Sequence, residues 1–234
     1  MPYAVITGAT QGIGKAIADK FLSQGFDIAI CARSSADLDK VKNEWAAKYA
    51  SRKVLAVAAD LSDKAACFDF AAQVLNDTTT IDVLINNAGT YFPGSLADEP
   101  DGQLEQLMNL NLYSAYNITR KLLPAFKLQN SGHIFNMCSV ASLKAYPNGG
   151  AYSITKYALM GFSDNLREEL MQTNIKVTAM SPGAVYSRSW QGSGVPESRI
   201  MQASDVADMV WAAYKLSLQA CVEHITLRPQ LGDL

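Results

Sequence analysis

Histidine is nearly absent from this sequence: His133 and His224 are the only two in 234 residues, and they lie far from each other and from every cysteine. Cysteine is scarce too, with Cys31, Cys67, Cys138 and Cys221 widely separated and no C-x-x-C among them. That pattern speaks against a zinc site or a disulfide framework and for reduced structural thiols. Long apolar runs are also missing. The longest stretches drawn only from hydrophobic residues, Val54 to Ala59 and Met209 to Tyr214, fall far short of the ~18 residues that a membrane helix needs. Charge of one sign is not in excess, since 20 Lys+Arg face 22 Asp+Glu for a net charge of −2, and no basic cluster suggests a nucleic-acid backbone as partner. The opening MPYAVITGAT has no basic segment ahead of an apolar stretch, so it reads as a first core strand and not a secretory leader, and a cytoplasmic protein is expected.

What remains is ample for a core: 49% of residues are hydrophobic and 18% charged. Short apolar or β-branched runs alternate with stretches of helical period, with no internal repeat or linker. Strands are predicted at Tyr3 to Thr7, Asp27 to Ala32, Lys53 to Ala58, Val83 to Asn86, His133 to Met137, Lys176 to Met180 and Glu223 to Leu227. Helices are predicted to begin near Gln11, Ser35, Asp63, Asp101, Ala151 and Ser204. Crossovers of that length imply an α/β, Rossmann-like, doubly wound parallel sheet of about seven strands with helices on both faces, in one domain over residues 1–234. Ligands of such sheets bind beyond the carboxyl ends of the strands.

Directly after the first strand stands Thr7-Gly8-Ala9-Thr10-Gln11-Gly12-Ile13-Gly14, then an amphipathic helix whose Ile13, Ile17 and Phe21 form one stripe. Glycines there let a backbone approach a pyrophosphate, and the free amides of the helix start favour an anion. The spacing G-x-x-x-G-x-G differs from the G-x-G-x-x-G fingerprint, and Gly14-Lys15-Ala16 lacks the Ser/Thr of a P-loop. A plain structural turn is the alternative. After the second strand, where an NAD site places an acid, come Ala32, Arg33 and Ser34; a guanidinium there pairs with a 2′-phosphate, so NADP(H) is favoured over NAD(H). Otherwise Arg33 is a solvated loop residue. Asp37 and Asp39 lie too far into the next helix to supply the missing acid.

Tyr152 and Lys156 are four apart at the start of a helix, hence on one side of it. An ammonium group beside a phenol stabilises the phenolate and makes the phenol a usable general acid or base. Alone, such a pair is weak evidence. With the glycine turn, Asn86-Asn87-Ala88-Gly89 after the fourth strand, and Ser139 placed 13 residues before Tyr152, the chain from Tyr3 to about Ser187 resembles the short-chain dehydrogenase/reductase family.

The resemblance implies a Ser-Tyr-Lys-Asn catalytic set. Tyr152 would donate the proton to the carbonyl oxygen and Ser139 would orient that oxygen; Lys156 would ease ionisation of the phenol and bind the nicotinamide ribose, and Asn111 would hold a relay water. Gly8, Gly12, Ile13 and Gly14 would line the pyrophosphate, and Asp60 would bond the adenine. Asn87, Ala88 and Gly89 would lie along the adenosine ribose, with Pro182, Gly183 and Val185 on the nicotinamide side. Plainer roles compete: Asn86 and Asn87 could bridge backbone groups, Asp60 could cap a helix, and Ser142 could take the place of Ser139.

The implied function is NADPH-dependent, reversible reduction of a ketone or aldehyde, in a homodimer or homotetramer paired through the helices beginning near Asp101 and Ala151. The alternative is a catalytically weak nucleotide-binding sensor of the same fold. Tyr91, Phe92, Tyr146, Asn148 and Trp190 are the expected substrate-pocket residues and suggest a fairly apolar substrate. Two departures bear on the substrate. Ser187 to Glu197, rich in Ser and Gly, is short for the family's lid and is expected to form a mobile flap. The last strand ends His224-Ile225-Thr226-Leu227-Arg228-Pro229 without the Gly-Gly turn of many acyl-carrier-protein reductases. A serine hydrolase is disfavoured, because no G-x-S-x-G elbow occurs.

Overall fold

The computed structural model describes residues 1–187, 190 and 194–234. Seven strands, β1 (Tyr3–Thr7), β2 (Asp27–Ala32), β3 (Val54–Ala58), β4 (Val83–Asn86), β5 (Gly132–Met137), β6 (Ile175–Pro182) and β7 (His224–Leu227), form one sheet. Their order is β3-β2-β1-β4-β5-β6-β7, and every pairing is parallel. The helices are α1 (Gly12–Ser23), α2 (Ser35–Lys48), α3 (Lys64–Asp77), α4 (Gln103–Met108), α5 (Ser114–Gln129), α6 (Gly150–Leu170) and α7 (Ala203–Tyr214).

Alternation along the strands builds two cores. Ala4, Ile6, Ile28 and Ile30 point to the face covered by α1, α2 and α7, where Phe21, Trp45 and Val210 are fully buried. Tyr3, Val5, Ala29 and Cys31 point to the face covered by α3, α5 and α6, where Phe70, Phe126 and Leu170 close the layer. Period-two strands with both faces covered explain why these strands read as nearly continuous apolar runs. The chain winds from β1 outward to β3, then returns to place β4 on the other side of β1. At that reversal the chain leaves β1 for α1 on one face and β4 for α5 on the other, and a sheet wound this way binds its ligands in a crevice at the carboxyl edge beside those two strands.

The helix expected from Asp101 is in fact two. Between α4 and α5 lies a π turn, Asn109–Tyr113, where the Ser114 amide bonds Asn109 O, five residues back. The Ser114 hydroxyl takes the abandoned Leu110 carbonyl at 2.5 Å. The turn is held from outside: Asn111 Nδ2 donates to Thr90 O and Thr155 Oγ1, both at 3.0 Å, and Asn111 Oδ1 accepts the Thr90 amide at 2.8 Å. Periodicity alone does not reveal such a turn, because its cause is a partner from another segment.

Candidate active site

The site is built outward from the glycine turn. Gly8 and Gly12 adopt φ of +66° and +55°, the left-handed region open to glycine. A Cβ on Gly14 would overlap Gly8 O and come within 2.5 Å of Asn87 Nδ2, so α1 can sit this close to the turn only with glycine there. Gln11 gives α1 no side-chain cap, and above Gly12 the nearest atom to a Cβ would be Ser187 Cβ at 3.7 Å. Uncapped amides at the edge of the cleft that Gly12, Ile13 and Gly14 line suit the pyrophosphate of a dinucleotide.

Thr7 and Asn87 lock this turn to β4. Thr7 Oγ1 accepts the amides of Asn87 and Ala88, both at 2.9 Å, and Asn87 Nδ2 donates to Thr7 O and Gly8 O at 2.9 and 3.0 Å. Asn86 reaches the other way, donating to Thr119 Oγ1 and Asn136 Oδ1, while Asn136 donates to Ser163 Oγ. The backbone-bridging role considered for both asparagines is thus present in Asn87 alone, since Asn86 bonds side chains, and the backbone Asn87 fixes carries Ala88 and Gly89 to the crevice.

The crevice is a cleft of about 1020 Å³. Its walls bring together Gly8, Gly12, Ile13, Gly14, Arg33, Asn87, Ala88, Gly89, Ser139, Tyr152, Lys156, Pro182, Gly183 and Val185. Ser139, not Ser142, faces it. Ser142 Oγ caps the Ser139 amide at 3.1 Å, and Ser139 Oγ accepts the Ala141 amide at 3.1 Å, which leaves the Ser139 hydroxyl hydrogen free to donate. Lys156 is buried, its Nζ donates to Met137 O at 2.8 Å, and it lies 5.7 Å from the centre of the Tyr152 ring. Gly89 leaves room beside it, since a Cβ there would lie 3.1 Å from Asn111 Oδ1 and 3.7 Å from Lys156 Nζ.

Aromatic rings form the outer wall. Tyr91 packs edge-on against Tyr152, with centroids 4.8 Å apart, and Tyr146 and Trp190 also line the cleft. Burial raises the Tyr146 phenol above its ordinary range, and the neighbouring Tyr91 and Tyr152 add to this, so Tyr146 stays protonated. Cys138, behind Ser139, is pushed up to about 11 by burial and remains a thiol.

Some expected residues stand elsewhere. The Asp60 carboxylate turns back to accept the Ser62 amide and hydroxyl at 3.0 and 2.7 Å, bonds that lower its pKa, and only its neighbours Ala59 and Leu61 reach the cleft. Phe92 and Asn148 do not line it either; the Asn148 carbonyl instead accepts the Gly94 amide. Asn111 lies behind the wall, with its amide hydrogens spent on Thr90 and Thr155 and one lone pair left on Oδ1. Of the expected flap, Ser187 and Trp190 line the cleft, whereas residues 188–189 and 191–193 lie outside the described residues.

Asp37, set aside on sequence as too far into the next helix, and Arg228 and Asp233, which no motif singles out, also reach the cleft. Asp37 does reach the cleft edge, because Ser34 caps α2 at the Asp37 amide and so keeps Asp37 in the first turn. Arg228 and Asp233, paired with each other, line the far wall, and Asp233 Oδ1 would stand 3.2 Å from a Cβ on Gly183. No spacing rule links a tail to a turn some fifty residues earlier.

Residues 2–195 match the short chain dehydrogenase family. The chain is 33% identical to a sepiapterin reductase of Chlorobaculum tepidum, over 98% of this chain and 97% of that one. Among solved structures it resembles a metagenomic short-chain oxidoreductase in complex with NADP, at 32% identity and a TM-score of 0.85, covering 98% of this chain and 97% of the other. It also resembles an alcohol dehydrogenase of Thermococcus sibiricus complexed with 5-hydroxy-NADP, at 26% identity and a TM-score of 0.91, covering 100% and 99%. With the parallel sheet and glycine-lined cleft in place, the chain belongs to the short-chain dehydrogenase/reductase family, the NAD(P)-dependent oxidoreductases that act on CH–OH groups.

Proposed function

We propose that the protein is an NADPH-preferring carbonyl reductase that converts a ketone or aldehyde to an alcohol, and the reverse. The observation that carries this reading is the convergence of the glycine turn, Ser139, Tyr152 and Lys156 on one cleft, with Arg33 on the same wall system. Bound NADPH supplies the hydride. The chain supplies position and charge. Backbone at Gly8, Gly12, Ile13 and Gly14 cradles the pyrophosphate, Asn87 to Gly89 follow the adenosine ribose, and Pro182, Gly183 and Val185 hold the nicotinamide side. Arg33 pairs with the 2′-phosphate.

At the reacting carbonyl, the Ser139 hydroxyl donates to the oxygen and the Tyr152 phenol delivers the proton. Lys156, anchored on Met137 O, offers its remaining N–H groups to the ribose and keeps positive charge beside the phenol. Asn111 would hold a relay water through the lone pair left on Oδ1, next to Lys156. Tyr91, Tyr146 and Trp190 favour a substrate with apolar surface near its carbonyl. Residues 1–234 act as one unit in this reading, cofactor site and catalytic groups together. The exposed Tyr116, Ile154 and Tyr157 on α5 and α6 supply the apolar surface for a homo-oligomer.

Thermal melts with NADP(H) and NAD(H) test the cofactor, since a ligand that binds only the folded state raises the melting temperature. Turnover of ketones and aldehydes with NADPH tests the chemistry. Tyr152→Phe is expected to lower kcat by about 10²–10⁴-fold with the NADP(H)-induced shift retained. A variant with near wild-type turnover refutes the proton-donor role, and no shift with either cofactor refutes the site.

A further inference from the structure

The segment from Asn87 to Gly102 has no helix or strand, yet it carries Gly89 along the cleft and Tyr91 against Tyr152. One carboxylate ties it to the helix that bears Tyr152 and Lys156. Glu99 Oε1 accepts the Ala151 amide at 2.6 Å, 52 residues away in sequence and one residue before Tyr152. Helix α6 has no side-chain cap from its own N-cap residue, which is Gly149. An ionised carboxylate there satisfies an amide that the helix cannot and meets the positive end of its dipole.

The surroundings are shaped to admit this group. Gly150 has φ +39°, and a Cβ on it would overlap Glu99 Oε1 and lie 2.5 Å from Gly94 O. The Gly94 amide in turn donates to Asn148 O at 3.1 Å. Two glycines and two hydrogen bonds thus clasp the loop to the first turn of α6.

We infer that Glu99 is a positioning residue for the reaction: by clasping the first turn of α6 to the Tyr91 loop, it sets the place of the Tyr152 phenol over the cleft. The inference rests on the proposed proton transfer by Tyr152. Glu99 does not line the cleft, so it acts through Ala151 and the helix start. The acceptor oxygen carries the effect, and glutamine preserves it; alanine removes it, and aspartate falls one carbon short.

The test compares Glu99→Ala, Glu99→Asp and Glu99→Gln in the full chain. Three readouts are taken: kcat with NADPH and the best carbonyl probe of the wild type, the melting shift caused by NADP⁺, and amide hydrogen exchange over residues 149–153. Glu99→Ala and Glu99→Asp are expected to lower kcat by about tenfold or more, keep the NADP⁺ shift, and speed exchange in that segment. Glu99→Gln is expected to restore kcat and protection together. Should Glu99→Ala fail to fold, Glu99→Asp carries the comparison. Wild-type kcat in an alanine or aspartate variant whose segment exchanges faster overturns the inference, since the clasp would then be structural only. A glutamine variant as slow as alanine overturns it as well. Absence of turnover in the wild type is a failure of the proposed reaction, and the exchange pattern still reads the clasp by itself.

Discussion

His133 gives the most quantitative expectation of this structure. It lies on β5 almost without exposure, stacked on Phe135 with ring centroids 3.9 Å apart. Its Nε2 is 2.7 Å from Thr178 Oγ1, and that hydroxyl donates its hydrogen to Val222 O at 2.5 Å. Thr178 can therefore only accept from the ring, which fixes the proton on Nε2 and leaves Nδ1 a buried acceptor with no partner among the described residues. A second proton would place a charge there. Burial, with a smaller contribution from Lys176, pushes the His133 pKa down to about 3.

In the unfolded chain the same ring titrates near 6.5. Between those values the unfolded state binds the extra proton and the folded state does not. The stabilisation is fully present above pH 6.5 and is lost as pH falls toward 3, at about 1.4 kcal/mol per unit. At pH 5 the loss is about 2 kcal/mol. His133→Phe keeps an aromatic ring and removes the titration, so wild type should lose about 2 kcal/mol more than the variant between pH 7.5 and 5. Urea unfolding of the cofactor-free protein at several pH values measures this, and the carboxylates shared by both proteins cancel in the difference. Parallel stability curves over that range would refute the reasoning, because they require the folded ring to protonate as readily as the unfolded one.

Two further expectations concern the cofactor cleft. Arg33→Ala should weaken NADP⁺ by about tenfold or more, the worth of a charge-assisted hydrogen bond, with little change for NAD⁺; equal losses in binding titrations would remove the 2′-phosphate assignment. Gly14→Ala should lower stability by about 1–3 kcal/mol through overpacking against Gly8 O and shrink the NADP⁺-induced melting shift. A variant that melts and binds like wild type would show that the turn has room the structure does not give it.

Much of the architecture was legible because the signals are local. Strand limits fall within two residues of those predicted, since β-branched apolar runs bounded by turn residues describe β1 to β7 directly. The glycine turn, the Asn-Asn-Ala-Gly run and the Tyr152–Lys156 pair were also visible, each being a spacing on one element. The fate of individual polar groups was less so. Asp60 bonds Ser62 and not the cleft, and Asp37 enters the cleft edge, although both are acids near strand ends. Which of Ser139 and Ser142 faces the cleft is decided by a mutual capping box, in which Ser142 is spent on the Ser139 amide.

By itself the sequence determined the seven strands, the alternation that makes them parallel, and a dinucleotide turn facing a Tyr–Lys helix. The strands follow from hydrophobic periodicity and the turn from backbone conformations that only glycine adopts easily, while its pairing with the Tyr–Lys helix rested on the family resemblance. Tertiary structure alone decided the rest: the π turn held by Thr90 and Thr155, the clasp of Glu99 on Ala151, and the Arg228–Asp233 pair over Gly183. Each of these joins residues distant along the chain. A hydrogen bond between such groups depends on where the packed sheet and helices bring them, and no local pattern encodes that distance.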